Sequence, residues 1–161
     1  LDYFDIRKRS PLYYSSSVVL NKESVIRIGG FDEKISIGED LDVWFRMILN
    51  YPNPVFYNRP LALYNKDGEN RAMNKKHDIK KSIMYYFEKY QNWEKENIYF
   101  AEYINLFKCR KYIDIIKNFD ISYEFLKDYI NNIDRKYMPL RWKLFFLLPL
   151  QFQCKILNHK F

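Results

Sequence analysis

The stretch Gly29-Gly30-Phe31-Asp32-Glu33, followed by Gly38-Glu39-Asp40-Leu41-Asp42-Val43-Trp44-Phe45-Arg46, constrains the fold more than any other part of this sequence. Two consecutive glycines make a sharp turn after a short apolar run, because glycine takes positive φ without steric cost. Asn21 can cap a short helix over Lys22 to Ile28, with Gly29 as its left-handed stop. A second helix is predicted from about Glu39 to Asn50. Leu41, Phe45, Ile48 and Leu49 share one of its faces. Asp42 and Arg46 have the favourable i,i+4 order, and Pro52 and Pro54 end the helix. A pair of acids therefore stands where a helix begins, beside a tightly turning backbone.

Around this stretch the first part of the chain predicts strands. Leu12 to Leu20 is rich in aromatic and β-branched residues. Val55-Phe56-Tyr57 and Leu61-Ala62-Leu63-Tyr64 read as strands interrupted by Pro60, at an edge or a bulge, and Lys66-Asp67-Gly68 as a turn. Beyond Ala72 the pattern becomes helical. Ile79, Ile83, Tyr86, Phe87, Tyr90 and Trp93 keep helical spacing. A helix over about Ile98 to Lys117 is apolar on several sides and so should be well buried. Asp120 or Ser122 can cap a further helix reaching about Asp134. The expected class is α+β, with strands and short helices over residues 1–72 and a mainly α-helical, basic region over 73–161.

Charge divides at the same place. Residues 1–72 carry ten Lys/Arg and ten Asp/Glu, whereas residues 73–161 carry seventeen and ten and so hold the whole +7. With 48% hydrophobic residues the chain can build a sizeable core, which excludes disorder. Cys109 and Cys154 do not make a disulfide framework, and a reducing compartment is the simpler reading. With His77 and His159 they have no metal-ligand spacing. The longest apolar run, Leu144 to Leu150, is far short of the roughly 20 residues of a membrane span. No secretory signal opens the chain. It starts at Leu1, as expected of a processed, trimmed or partial product.

Gly29-Gly30-Phe31-Asp32-Glu33, Gly38-Glu39-Asp40, Arg46 and the segment Val55 to Tyr64 together resemble the acceptor-binding half of family-2 glycosyltransferases. The match runs over about Leu12 to Tyr64. The resemblance implies a partial GT-A-like portion and transfer of a sugar from a nucleotide-sugar to a hydroxyl acceptor, a glycan or lipid-linked, with inversion, in cell-surface glycan assembly. Asp40 would be the catalytic base that takes the acceptor proton. Glu39, Gly29, Gly30 and Asp32 would line the acceptor, with Asp42 and Arg46 in support. Acids at a helix start have a second reading, since they complement the helix dipole and its free N–H groups.

Asp40-Leu41-Asp42 is not the family's metal motif, because residues two apart on a helix do not face each other. Leu1 to Pro11 holds no such motif either. The nucleotide-binding half is therefore expected to be missing and this chain alone inactive. No cofactor is expected within the chain, and Mg²⁺ or Mn²⁺ in a full-length enzyme. A rival function is a non-catalytic helical module that binds a membrane or a protein. Arg135 to Phe161 carries six Lys/Arg and no acid, interleaved with aromatics and leucines. That suits an anionic bilayer surface, with Trp142 and Leu144 to Leu148 near the headgroups, and equally a final helix packed on the domain. The charge lacks a nucleic-acid-binding motif. The expected location is cytoplasmic, peripheral on the inner face of the membrane.

Overall fold

The computed structural model describes residues 2–9, 15–35, 38–57, 59–60, 62–63, 79–118 and 121–158. These contain eight α-helices: α1 (Tyr3–Arg7), α2 (Lys22–Arg27), α3 (Glu39–Asn50), α4 (Ile79–Glu96), α5 (Ile98–Asn118), α6 (Tyr123–Asn131), α7 (Leu140–Phe145) and α8 (Leu150–Asn158). None of them is long and apolar enough to cross a membrane. Two compact units result. One comprises Leu1–Tyr3 and Ser10–Tyr86, the other Phe4–Arg9 and Phe87–Phe161.

The expected α+β class with a GT-A-like portion is corrected: the described residues hold helices and no strand. Ser15–Ser17 forms a 3₁₀ turn, and Val18 to Leu20 runs on without a ladder. Val19 is 97% exposed and Val55 94%. β-propensity states only how well a side chain suits a pleated, half-buried surface. A single extended segment with no neighbour to pair with gains none of that burial. Leu12 to Tyr14, Leu61, the Lys66-Asp67-Gly68 turn and His77 lie outside the described residues.

In the first unit, the side chain of Asn21 accepts the Ser24 N–H at 3.0 Å and starts α2. At the other end Gly30 N–H bonds Val25 O and Gly29 N–H bonds Ile26 O, the paired closure of a Schellman motif. Gly29 and Gly30 both have positive φ, +92° and +67°. Helix α3 spans the predicted residues and packs on α2, burying Val43, Trp44, Phe45 and Ile48.

The second unit is an aromatic core around α5. Phe100 meets Phe4 edge-on at 4.8 Å and Tyr90 at 5.5 Å. Tyr129 of α6 meets Phe87 at 5.0 Å. Ser122 caps α6 by accepting the Phe125 N–H. Trp142, expected among headgroups, is buried and stacks on Phe146, which meets Tyr112 of α5 at 5.1 Å. Inside this core Lys108 is only 3% exposed, paired with Glu94 at 2.7 Å. Both cysteines are free thiols.

Candidate functional site

The Gly29–Arg46 stretch is organised by one guanidinium. Arg46 Nε donates to Asp42 Oδ2 at 2.8 Å, and Nη2 bonds the same oxygen. Nη1 donates to Ile28 O and Nη2 to Gly30 O, each at 2.6 Å. Those carbonyls belong to the C-terminal end of α2, the negative end of its dipole, where a cation is favoured. Asp42 is fully buried, so the pair balances its charge inside the fold. Gly29, Gly30, Asp42 and Arg46 are thereby one structural clamp. Asp42 and Arg46, expected from sequence to support a site, are the ion pair of this clamp. The two glycines shape the turn that Arg46 grips.

A second set of contacts fixes the loop before α3. Asp32 Oδ1 accepts the Lys34 N–H at 3.1 Å, and its Oδ2 accepts the Tyr85 hydroxyl at 2.7 Å. The phenol of Tyr85 is held above its usual range, first by that bond to Asp32 and then by burial. The Tyr86 hydroxyl donates to Gly38 O. Burial pushes the Tyr86 phenol up strongly, with the charges of Asp42, Asp40 and Glu39 adding to the effect. Gly38 has φ +81°, and a Cβ there would stand 3.0 Å from the Tyr86 oxygen. Glycine is required at this position on both counts.

This framework presents Asp40 in the first turn of α3. Its Oδ1 accepts the Leu41 N–H at 2.7 Å, and its Oδ2 accepts the Ser15 hydroxyl at 2.5 Å. Glu39 beside it is exposed. Along α3, Asp40, Trp44, Met47 or Ile48, and Tyr51 recur at helical spacing, so they form one stripe. Trp44, Met47, Ile48 and Tyr51 line a cleft of about 430 Å³ that is completed by Ser17 to Asn21 and by Asn53 to Val55. The 3₁₀ turn carries Ser15 on the carboxylate and Ser17 in the cleft wall. Asp40 thus stands at the head of the stripe that floors this cleft. The lining is mostly aliphatic, with the rings of Trp44 and Tyr51 and with Ser17, Asn21, Ser24 and Asn53 as its polar residues, the mixed make-up usual for a small-molecule cleft.

Of the site residues expected from sequence, the structure brings Gly29, Gly30, Asp42 and Arg46 together and ties Asp32 to Tyr85. It leaves Asp40 facing a hydroxyl, with Glu39 in solvent. Ser15, Tyr85 and Tyr86 carried no local signal in the sequence. Among the described residues no group of three or more His, Cys, Asp or Glu could hold a metal ion. Asp40 and Asp42 are engaged separately, by Ser15 and by Arg46.

Comparison with protein-family models, curated proteins and solved structures finds no match for this chain. With no strand among the described residues and no matching family or relative, the likeness to family-2 glycosyltransferases is overturned. What remains for function is the chemistry of the residues themselves.

Proposed function

We propose that this chain serves sugar transfer to a hydroxyl acceptor, with Asp40 as the general base. The reading rests on the site's chemistry and not on kinship. The observation that carries it is the Ser15 hydroxyl held 2.5 Å from Asp40 Oδ2. An exposed serine occupies the place an acceptor hydroxyl would take, within the reach a general base needs. An incoming sugar or lipid-linked glycan displaces it, the cleft beside Trp44 and Tyr51 holding the body of the acceptor. As the acceptor oxygen attacks the anomeric carbon of a nucleotide-sugar, its proton passes to Asp40. The bond from that carbon to phosphate breaks, the nucleoside diphosphate leaves with the electron pair, and configuration inverts. Asp42 takes no part in this scheme, because it is bonded to Arg46. In cell-surface glycan assembly the chain would work at the inner face of the membrane.

Transfer with nucleotide-diphosphate sugars, Mg²⁺ or Mn²⁺ and a glycan acceptor, measured in a full-length enzyme that supplies the nucleotide-binding half, tests the proposal. Asp40→Asn lowers turnover by about 10²–10⁴-fold, the range for losing a general base, and leaves the unfolding midpoint nearly unchanged. Ser15→Ala, which uncovers the carboxylate, preserves turnover. Wild-type turnover in Asp40→Asn refutes the assignment. The rival reading, a non-catalytic helical module, makes Asp40 only a helix-start acid. Its replacement would then cost about 0.3–1 kcal/mol of stability and change no activity.

A further inference from the structure

We infer that the outer face of α7, α8 and the turn between them is a docking surface for an anionic lipid bilayer. Residues 135–158 carry a buried and an exposed set of apolar side chains, with Tyr137, Phe145, Cys154 and Leu157 in between. Met138, Trp142, Phe146 and Leu150 are buried. That side is locked to α5, where Tyr112 donates its hydroxyl to Gln153 at 2.8 Å. A second set, Leu140, Leu144, Leu147, Leu148, Phe152 and Ile156, is exposed, Leu140 by 71% and Leu147 by 70%. The core requires the first set and does not account for the second. One contiguous segment with this much uncovered aliphatic surface marks an interaction face.

The charge on the segment identifies the occupant. Arg135, Lys136, Arg141, Lys143 and Lys155 are all exposed, and no acid occurs from residue 135 to 161. Leucines interspersed with cations, with the cations free to reach headgroups, are the pattern of an interfacial surface. A crevice of about 400 Å³ adds a detail. Arg135, Lys136 and Lys143 stand around a floor of Met138, Phe146 and Leu147. An anionic headgroup above a length of acyl chain matches both parts of that lining. A second copy of the chain would bring the same cations face to face, so self-association is disfavoured. Single-stranded nucleic acid gains its affinity from stacking on exposed aromatic rings, and this face is mostly aliphatic. Pro149 separates α7 from α8 by denying the N–H that a continuous helix needs. The contact is therefore a bent, shallow one.

The test uses the whole chain with vesicles of phosphatidylcholine, alone or mixed with phosphatidylserine. The chain co-sediments with the mixed vesicles at low salt, and raising the salt weakens the binding. Lys136→Ala with Lys143→Ala lowers partition by about 30-fold, about fivefold for each cation removed. Leu144→Ser with Leu147→Ser lowers it by at least about tenfold. All four side chains are exposed, so circular dichroism of both variants stays that of the parent. Leu147→Trp places a reporter on the face, and brominated acyl chains quench it. A chain that stays in the supernatant at low salt overturns the inference. So does equal binding to neutral vesicles, or a Leu147→Trp reporter that binding leaves unquenched. Capture by polyglutamate without vesicle binding overturns it in favour of an acidic protein partner.

Discussion

Replacing Arg46 with methionine should remove most of the stability of the unit built on α2 and α3. The side chain is 13% exposed and its partner Asp42 0%, so solvent screens the pair little. Breaking a buried ion pair from one side costs about 3–5 kcal/mol, because the remaining charge is left uncompensated. The same guanidinium also serves Ile28 O and Gly30 O. A lost hydrogen bond to a charged group costs about 1.5–3 kcal/mol. The two carbonyls sit at a loop and can regain water, so one such increment is the fair addition. The total, about 5–8 kcal/mol, is comparable with the whole stability of a small domain, about 5–15 kcal/mol.

Arg46→Lys keeps the charge, but its compact ammonium cannot serve three acceptors in the fork geometry. It should cost about 2–4 kcal/mol. Urea unfolding followed through tryptophan fluorescence reads these changes, since Trp44 is buried on α3. Hydrogen exchange at the Gly29 and Gly30 amides reads them locally, since those amides close the end of α2. If Arg46→Met unfolds within about 1 kcal/mol of the parent, it behaves as an exposed surface pair would, and the clamp argument is wrong.

Two further outcomes follow from the buried polar groups. In the second unit Glu94→Ala strands the Lys108 ammonium, which otherwise bonds Glu94 at 2.7 Å and Asn132 O at 3.1 Å. Denaturant unfolding should show a loss of about 3–5 kcal/mol, largely recovered when Lys108→Met is added to Glu94→Leu; an unrecovered double variant would contradict the charge-burial account. Burial raises the phenols of Tyr86, Tyr112 and Tyr129. The folded state then holds protons that the unfolded chain releases, so stability is full below about pH 10 and falls as pH rises through the folded values. Unfolding midpoints that stay flat through this alkaline range would show that these hydroxyls are not shielded.

Local signals in the sequence were enough to find α2 to α6, but not α1 or the bounds of α7 and α8. Asn21 and Gly29 bracket α2, and the run from Glu39 to Asn50 is α3 residue for residue. Ser122 starts α6 as a capping residue should. The strands failed because their evidence was a propensity, and a strand exists only through a partner that no local window contains. The tail was ambiguous for a related reason. Trp142 and Leu144 look alike to a composition argument, yet Trp142 is buried against Phe145 and Phe146 while Leu144 is left in solvent. Long-range contacts were equally invisible. Ser15 reaches Asp40 across 25 residues, Tyr86 reaches Gly38 across 48, and Tyr85 reaches Asp32 across 53.

The division of labour among the acids near α3 decides which of them can do chemistry. Asp42 is committed to Arg46 in the clamp. Asp32 is held from both sides by Lys34 N–H and the Tyr85 hydroxyl. Glu39 is in solvent, where nothing orients it. Asp40 accepts the Leu41 N–H of its own helix and the hydroxyl of an exposed serine, Ser15. Replacing each acid by its amide therefore separates two roles. Asp42→Asn should lower stability and turnover together, because turnover falls through the folded fraction. Asp40→Asn should lower turnover alone, with urea unfolding unmoved. If both substitutions act through stability, Asp40 belongs to the scaffold with Asp42. Its carboxylate in the first turn of α3 is then a helix-start acid and nothing more.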